Sequence, residues 1–259
     1  GFSITVDAKN SNVYDLAFFS VSPALGQSAT TAATAAQKDA YLTYIRTLDA
    51  LLGETETQAA ADAQRIWAAD SAIAAKALTA QESYDADKTY NLFTMAQLQA
   101  LFPNVDLSAV FAQTGLTQTD KIVVSDVGAL KAAASLFDAA HLDTLKAYCR
   151  FALAANCGGT LNQEFTDADN AFQQAYLGIS GTVSDEDAAA QVVQSLMSDY
   201  LGQAYASRYF SARAKADAEE MVKEILGVYQ DRINALTWMS SDTKAKAIRK
   251  LDTMKLHIG

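Results

Sequence analysis

The chain opens on an alternation. Phe2, Ile4 and Val6 fall on one side and Ser3, Thr5 and Asp7 on the other, the period of two that a strand imposes on its faces. "DAKNSN" is turn chemistry, and "VYDLAFFSV" resumes with aromatic and β-branched residues that favour extended backbone. This pattern predicts a β-hairpin over residues 2–21, ended by Pro23. From there the spacing changes to three and four, and everything that follows reads as helical. Tyr41, Ile45, Leu48 and Leu52 share one helical face, with Gly53 as a stop. A second helix is expected over 54–80, and Thr94 with Gln97 forms a capping box for a helix that must end before Pro103. Ser125, Ser184 and Ser240 are expected N-caps, and Gly158-Gly159 should break the helix that precedes it.

Two long helices are expected near the end. Ala189, Val193, Leu196, Tyr200 and Ala204 form a stripe over about 184–210; Ala218, Val222, Ile225, Tyr229, Ile233 and Leu236 form another over about 213–237. Such stripes predict core-facing sides of antiparallel neighbours. No fixed-period repeat or low-complexity linker interrupts the chain. The expected fold class is mainly α: one multi-helix lobe over residues 1–259, with long antiparallel helices over 36–259 and the short hairpin at 2–21.

Composition narrows the function classes. Half of the 259 residues are apolar, enough for a sizeable core, and 30 acidic against 20 basic side chains give a net charge of −10. With no basic stripe, nucleic acid is excluded as an expected partner. No apolar run approaches the roughly 18 residues of a membrane span. Gly1-Phe2 begins in mid-pattern and the chain stops soon after His257, so both ends read as cut. Cys149 and Cys157 share one helical run, where their Cα atoms would lie about 12 Å apart, beyond the reach of a disulfide. Two buried free thiols are expected.

Catalytic patterns are absent. His141 and His257 show no His-Glu-x-x-His or related spacing, no Gly-x-Ser-x-Gly surrounds a serine, and no glycine-rich phosphate cradle occurs. "GISG" at 178–181 reads as a loop. "SDED" at 184–187 sits where a helix should start, and there acidic side chains complement the positive helix end. "DADKTYN" (85–91) and "TDADNAF" (166–172) lack the glycine and glutamate of a calcium loop. Trp67, Trp238 and the tyrosines at helical spacing read as core. No catalytic, cofactor-binding or metal-ligating residue is assigned in this chain.

Residues 201–259 carry a family resemblance. Gly202 and Tyr205 lead into an aromatic-ended helix, a long amphipathic helix follows, then Trp238, Met239, Thr243 and Lys244, and a last helix closes on Ile258-Gly259. This resembles the stretch preceding the catalytic lobe of neprilysin-like zinc metallopeptidases. "DAKNSN", "YNLFTMAQLQALFPNVDLSAVF", "KIVVSDVGALKAAASLF" and "DTLKAYCRFAL" resemble earlier family blocks in the same order, the third being a strand-like link. Two departures stand out. "ALGQSATTAATAAQKDAYL" replaces a Gly-Leu-Pro-x-x-x-Tyr-Tyr segment. Glu186, Asp187, Ala188 and Ala189 stand where many members have Trp-x-x-Cys, so that family disulfide is missing and a bacterial relative is suggested.

The resemblance implies a parent enzyme that hydrolyses peptides with zinc-activated water, its ligands lying beyond residue 259. It also implies that this piece is a non-catalytic helical cap lobe facing the catalytic lobe of the same polypeptide, admitting peptides and excluding folded proteins. The cofactor expectation is therefore none here and zinc in the parent. The expected compartment is bacterial and extracytoplasmic, periplasmic or secreted. The alternative is a free-standing helical module that binds peptides or a partner protein.

Overall fold

The computed structural model describes residues 2–18, 22–115, 121–179, 181 and 183–258. The chain is mainly α-helical and divides into two compact units, Gly1–Thr182 and Val183–Gly259. No helix among the described residues is long and apolar enough to cross a membrane.

The first unit begins with the expected hairpin, β1 (Phe2–Val6) paired antiparallel with β2 (Tyr14–Phe18). Residues 19–21 of the expected hairpin lie outside the described residues. The helical elements then run α1 (Gln27–Thr31), α2 (Ala35–Leu51), α3 (Glu56–Ala74) and α4 (Ala86–Thr89). They are followed by β3 (Asn91–Phe93), α5 (Met95–Leu101), α6 (Leu107–Gln113), β4 (Ile122–Val124), α7 (Val127–Ala134), α8 (Leu142–Cys157) and α9 (Gln163–Leu177). The sheet order is β1-β2-β4-β3, with β2 and β4 parallel and β3 antiparallel to β4. Two strands thus appear in a region whose periodicity reads as helical, β4 in the segment that the family resemblance marks as a strand-like link. Three residues are too few to display a period of two, and only pairing defines them. Ile122 and Val124 face the core while Val123 is half-covered.

Local chemistry explains the helix ends. Thr34 with Gln37 and Thr94 with Gln97 form full capping boxes. Gly53, at φ +92°, takes the left-handed turn after α2. On α2, Tyr41, Ile45 and Leu48 are buried but Leu52 is 46% exposed, so the core stripe ends one turn early. Helix α3 stops at Ala74 rather than near 80 because the chain is drawn towards α7: the Leu78 N–H donates to Asp126 Oδ2 at 2.7 Å. Asp126, not Ser125, caps α7, its Oδ1 accepting from the Ala129 N–H at 2.8 Å. The approach is close enough that a Cβ on Gly128 would lie 2.1 Å from the Lys76 carbonyl oxygen. Helix α8 ends at Cys157 and Gly158–Thr160 tightens into a 3₁₀ turn, as the glycine pair predicts.

Helices α2, α3, α8 and α9 pack around Tyr41, Ile45, Leu48, Ile66, Phe151 and Phe165. A second core lies under the sheet, around Leu98, Phe111, Ile122, Val124 and Leu130. Both cysteines are free, but Cys149 is exposed and Cys157 half-exposed, so the expectation of buried thiols fails. The helix α8 turns its Ala147–Phe151–Ala154 side inward instead.

The second unit contains α10 (Asp185–Leu196), α11 (Ser198–Tyr209), α12 (Ala212–Ala235) and α13 (Ser241–Asp252). Ser184 and Ser240 cap α10 and α13 as expected. The expected helix over 184–210 is broken at Met197, whose φ of −124° and ψ of 30° leave the helical region. Nothing in the hydrophobic spacing marks that break. Helices α12 and α13 pack together, joined by Gln230 Nε2 donating to Asp252 Oδ1 at 2.6 Å and Lys244 Nζ donating to the Asn234 carbonyl at 2.7 Å.

Candidate functional site

The first unit buries carboxylates among apolar helices. Asp70 of α3 is fully covered; Tyr41 and Tyr148 donate their hydroxyls to its two oxygens, each at 2.8 Å, and the Ala24 N–H adds a longer contact at 3.4 Å. Burial pushes the Asp70 carboxyl above its ordinary range, and the two tyrosine donors hold it back. Burial likewise raises the Tyr44 hydroxyl above its ordinary value, helped by Asp169, which accepts from it at 3.2 Å.

Two turns earlier on the same helix, Asp62 accepts from Arg150 Nη2 and Arg65 Nη1, each at 2.6 Å, and from Gln58 Nε2 at 2.9 Å. Asp49 of α2 is equally covered, yet neither of its oxygens receives a hydrogen bond. Its nearest cation is Arg150 Nε at 3.9 Å. Above Tyr41 and Tyr148 opens a cleft of about 340 Å³, walled by Tyr44, Phe151, Asn156 and Phe172. The Tyr44 and Phe172 rings stack at 4.6 Å, which closes one wall.

A second polar cluster sits at one end of the sheet. Lys121 Nζ donates to Asp7 Oδ2, and to Asp15 Oδ2 at 3.1 Å; the Tyr90 hydroxyl donates to Asp7 Oδ2 at 2.8 Å. The Lys121 hydrogen bond holds the Asp7 carboxyl well below the usual range, whereas burial raises that of Asp15. The cluster ties the hairpin turn to the segments entering β3 and β4, and Lys121 occupies the space between its carboxylates.

The residues weighed for chemistry do not converge. His141 ends a 3₁₀ turn, its Nδ1 2.7 Å from Asp138 Oδ1, and His257 is an exposed residue near the C-terminus. Asp185, Glu186 and Asp187 occupy the first turn of α10, as read, and Asp85 caps α4 through the Asp87 N–H at 3.0 Å. Among the described residues, no three His, Cys, Asp or Glu side chains are grouped as a metal ion requires. Sequence reasoning missed the buried carboxylates. Their signal was available: Asp49 falls four residues after Ile45, and Asp62 and Asp70 flank Ile66 at the same spacing, so all three lie on apolar stripes.

The second unit is the reverse case. Among its described residues none is buried. The stripes expected to face a core stand in the open, with Val193 46%, Leu196 80%, Tyr200 71%, Ile225 48% and Tyr229 55% exposed. Trp238 is 76% exposed, so it is not the core residue that its spacing predicts. Along α12, Met221, Ile225, Val228 and Tyr229, with Glu224 and Arg232 beside them, line a shallow recess of about 340 Å³.

The model of peptidase family M13 matches residues 1–259. Among curated relatives, the neutral endopeptidase of Lactobacillus helveticus is 28% identical over all of this chain and 40% of its own length. A putative zinc metalloproteinase of Streptococcus gordonii is 29% identical over 73% of this chain and 34% of its own length. The crystal structure of a Mycobacterium tuberculosis zinc metalloprotease, ZMP1, in complex with an inhibitor superposes with a TM-score of 0.85 at 26% identity, covering 97% of this chain and 39% of that one. The chain thus spans less than half the length of these relatives.

Proposed function

This chain belongs to peptidase family M13 as an amino-terminal part of its neprilysin-like metalloendopeptidases, and from that premise we propose that it is the non-catalytic cap of a zinc endopeptidase. In this reading it closes the reaction chamber opposite the zinc, admits peptides and keeps folded proteins out. In the same reading the zinc chemistry belongs to residues outside these 259, whose two histidines, His141 and His257, lack the His-Glu-x-x-His spacing. The chain contributes shape, and a seat for the rest of the polypeptide.

The observation that carries this reading is the second unit, whose apolar stripes have no cover of their own. A helix with an apolar face is stable when that face is buried against something. The relatives, more than twice as long, supply a remainder that could cover it.

The test uses the full-length polypeptide. Ile225→Asp on a solvent-facing helix should move stability by no more than about 0.5 kcal/mol, whereas in a covered face it should cost several times that. A large loss of thermal midpoint supports the seat; no change overturns it. The sieve is tested separately, by comparing kcat/KM for a short and a long peptide across mild surface variants of the chamber wall. Loss or gain confined to the long peptide supports a gate, because access and not the chemical barrier is altered. Equal effects on both lengths overturn it.

A further inference from the structure

The four-helix part of the first unit holds one charged group that its surroundings do not accommodate. Asp49 has a side chain only 1% exposed, and both of its oxygens lack a hydrogen-bond donor. Arg150 stands beside it but is engaged elsewhere: Nη2 is bound to Asp62 at 2.6 Å, Nη1 faces Glu54 at 3.5 Å, and Nε, at 3.9 Å from Asp49 Oδ1, is itself unsatisfied. The charges facing the junction are the carboxylates of Asp49, Glu54 and Asp62 and the guanidinium groups of Arg150 and Arg65. Three anions meet two cations, and Asp49 is the anion with the fewest contacts.

The backbone adds to the imbalance. Asp49 lies in the last turn of α2, where its own carbonyl accepts from the N–H groups of Leu52 and Glu54 at 3.1 and 3.0 Å. Carbonyl ends of a helix carry negative charge, which disfavours another anion. Asp62, with equal burial, takes three donors, and Asp70 takes two strong ones and a weak third. The contrast isolates Asp49.

We propose that Asp49 is a proton-operated latch between α2 and α8: protonated, it leaves the junction charge-balanced and closed; ionised, it loosens the junction and makes local opening easier. Burial, followed by the neighbouring Asp62 and Glu54 carboxylates, raises Asp49 to about 6 against the pull of Arg150. The sign follows from the raised value. A carboxyl whose folded pKa exceeds its unfolded pKa of about 3.9 contributes stability that is complete below the unfolded value. That contribution is lost as pH rises through about 6. The latch therefore holds in mild acid and slackens towards neutrality. A transit between an acidic and a neutral compartment would operate it.

The experiment has three arms on the full-length polypeptide. In the first, the Asp49 carboxyl carbon is titrated by NMR in the wild-type protein, which needs no variant to fold. A midpoint near 6 is expected, and one in the ordinary carboxylate range, near 4, overturns the proposal. In the second, unfolding equilibria of wild type and Asp49→Asn are compared from pH 4.5 to pH 8. Asp49→Asn keeps the shape and removes the charge. The ratio of the two unfolding constants should shift by about 25-fold across that range, with the variant the more stable partner at pH 8. A ratio that stays flat with pH overturns the latch. Hydrogen exchange of the α8 amides, corrected for the intrinsic pH dependence, should speed up selectively in wild type between pH 4.5 and pH 6.5 and level off above that. Equal exchange in the variant shows that the slackening does not pass through Asp49.

Discussion

Tyr41→Phe removes a single oxygen from a side chain that is 1% exposed. The ring keeps its packing against Trp67 and Phe151, with centroids at 6.2 and 5.7 Å, so no cavity of consequence appears. What is lost is the 2.8 Å hydrogen bond to Asp70 Oδ2. Asp70 keeps the Tyr148 hydroxyl at 2.8 Å and the Ala24 N–H at 3.4 Å, both on Oδ1, so Oδ2 is left bare in a fully buried position. A hydrogen bond to a charged acceptor contributes about 1.5–3 kcal/mol net.

The loss depends on pH. Burial already raises the Asp70 pKa, so its contribution is complete below the unfolded value and falls away as pH rises through the folded one. Removing a donor that favours the anion raises the folded pKa further. The loss should therefore shrink from about 1.5–3 kcal/mol at pH 8 as the solution is acidified to pH 4.5 and the protonated fraction of Asp70 grows. For a unit of this size that corresponds to a drop of about 3–12 °C in Tm at pH 8. The assay is urea unfolding followed by fluorescence in a Trp238→Phe background, where Trp67, packed on the same core, is the remaining tryptophan. A loss below about 0.5 kcal/mol at pH 8, within the range of an ordinary surface change, would refute the reasoning. So would equal losses at both pH values.

Gly128→Ala should be strongly destabilising despite being a one-carbon change, because the new Cβ would sit 2.1 Å from the backbone oxygen of Lys76, two residues past the end of α3. A thermal midpoint unchanged from wild type would show that α3 and α7 approach less closely than described. Lys121→Met should lower the unfolding midpoint by leaving Asp7 and Asp15 facing each other without a cation, and acidification should recover part of the loss as one carboxylate protonates. A loss that is constant from pH 4 to pH 8 would place the effect elsewhere.

Much of the local structure was legible in the sequence, because it is set by neighbours within four residues. The capping boxes at Thr34 and Thr94 satisfy helix ends with side chains three positions away. The caps at Ser184 and Ser240, the stop at Gly158-Gly159 and the hairpin about "DAKNSN" are equally local. The collinear motifs ending in Trp238, Met239, Thr243 and Lys244 also fixed the family, which the match over the whole chain bears out.

Tertiary structure decided whatever depends on a distant partner. Strands β3 and β4 are three residues each and exist only by pairing with one another and with β2. Asp126 rather than Ser125 caps α7 because its second oxygen is needed by Leu78, 48 residues away. Asp62 can be buried because Arg150, 88 residues on, reaches it, while Asp49 at the same junction is left short of donors. Periodicity places Leu196, Tyr200, Ile225 and Tyr229 on apolar faces but carries no information about what covers them. In these 259 residues the faces stay open, because a stripe records which side of a helix avoids water, while its cover is supplied by other parts of a fold.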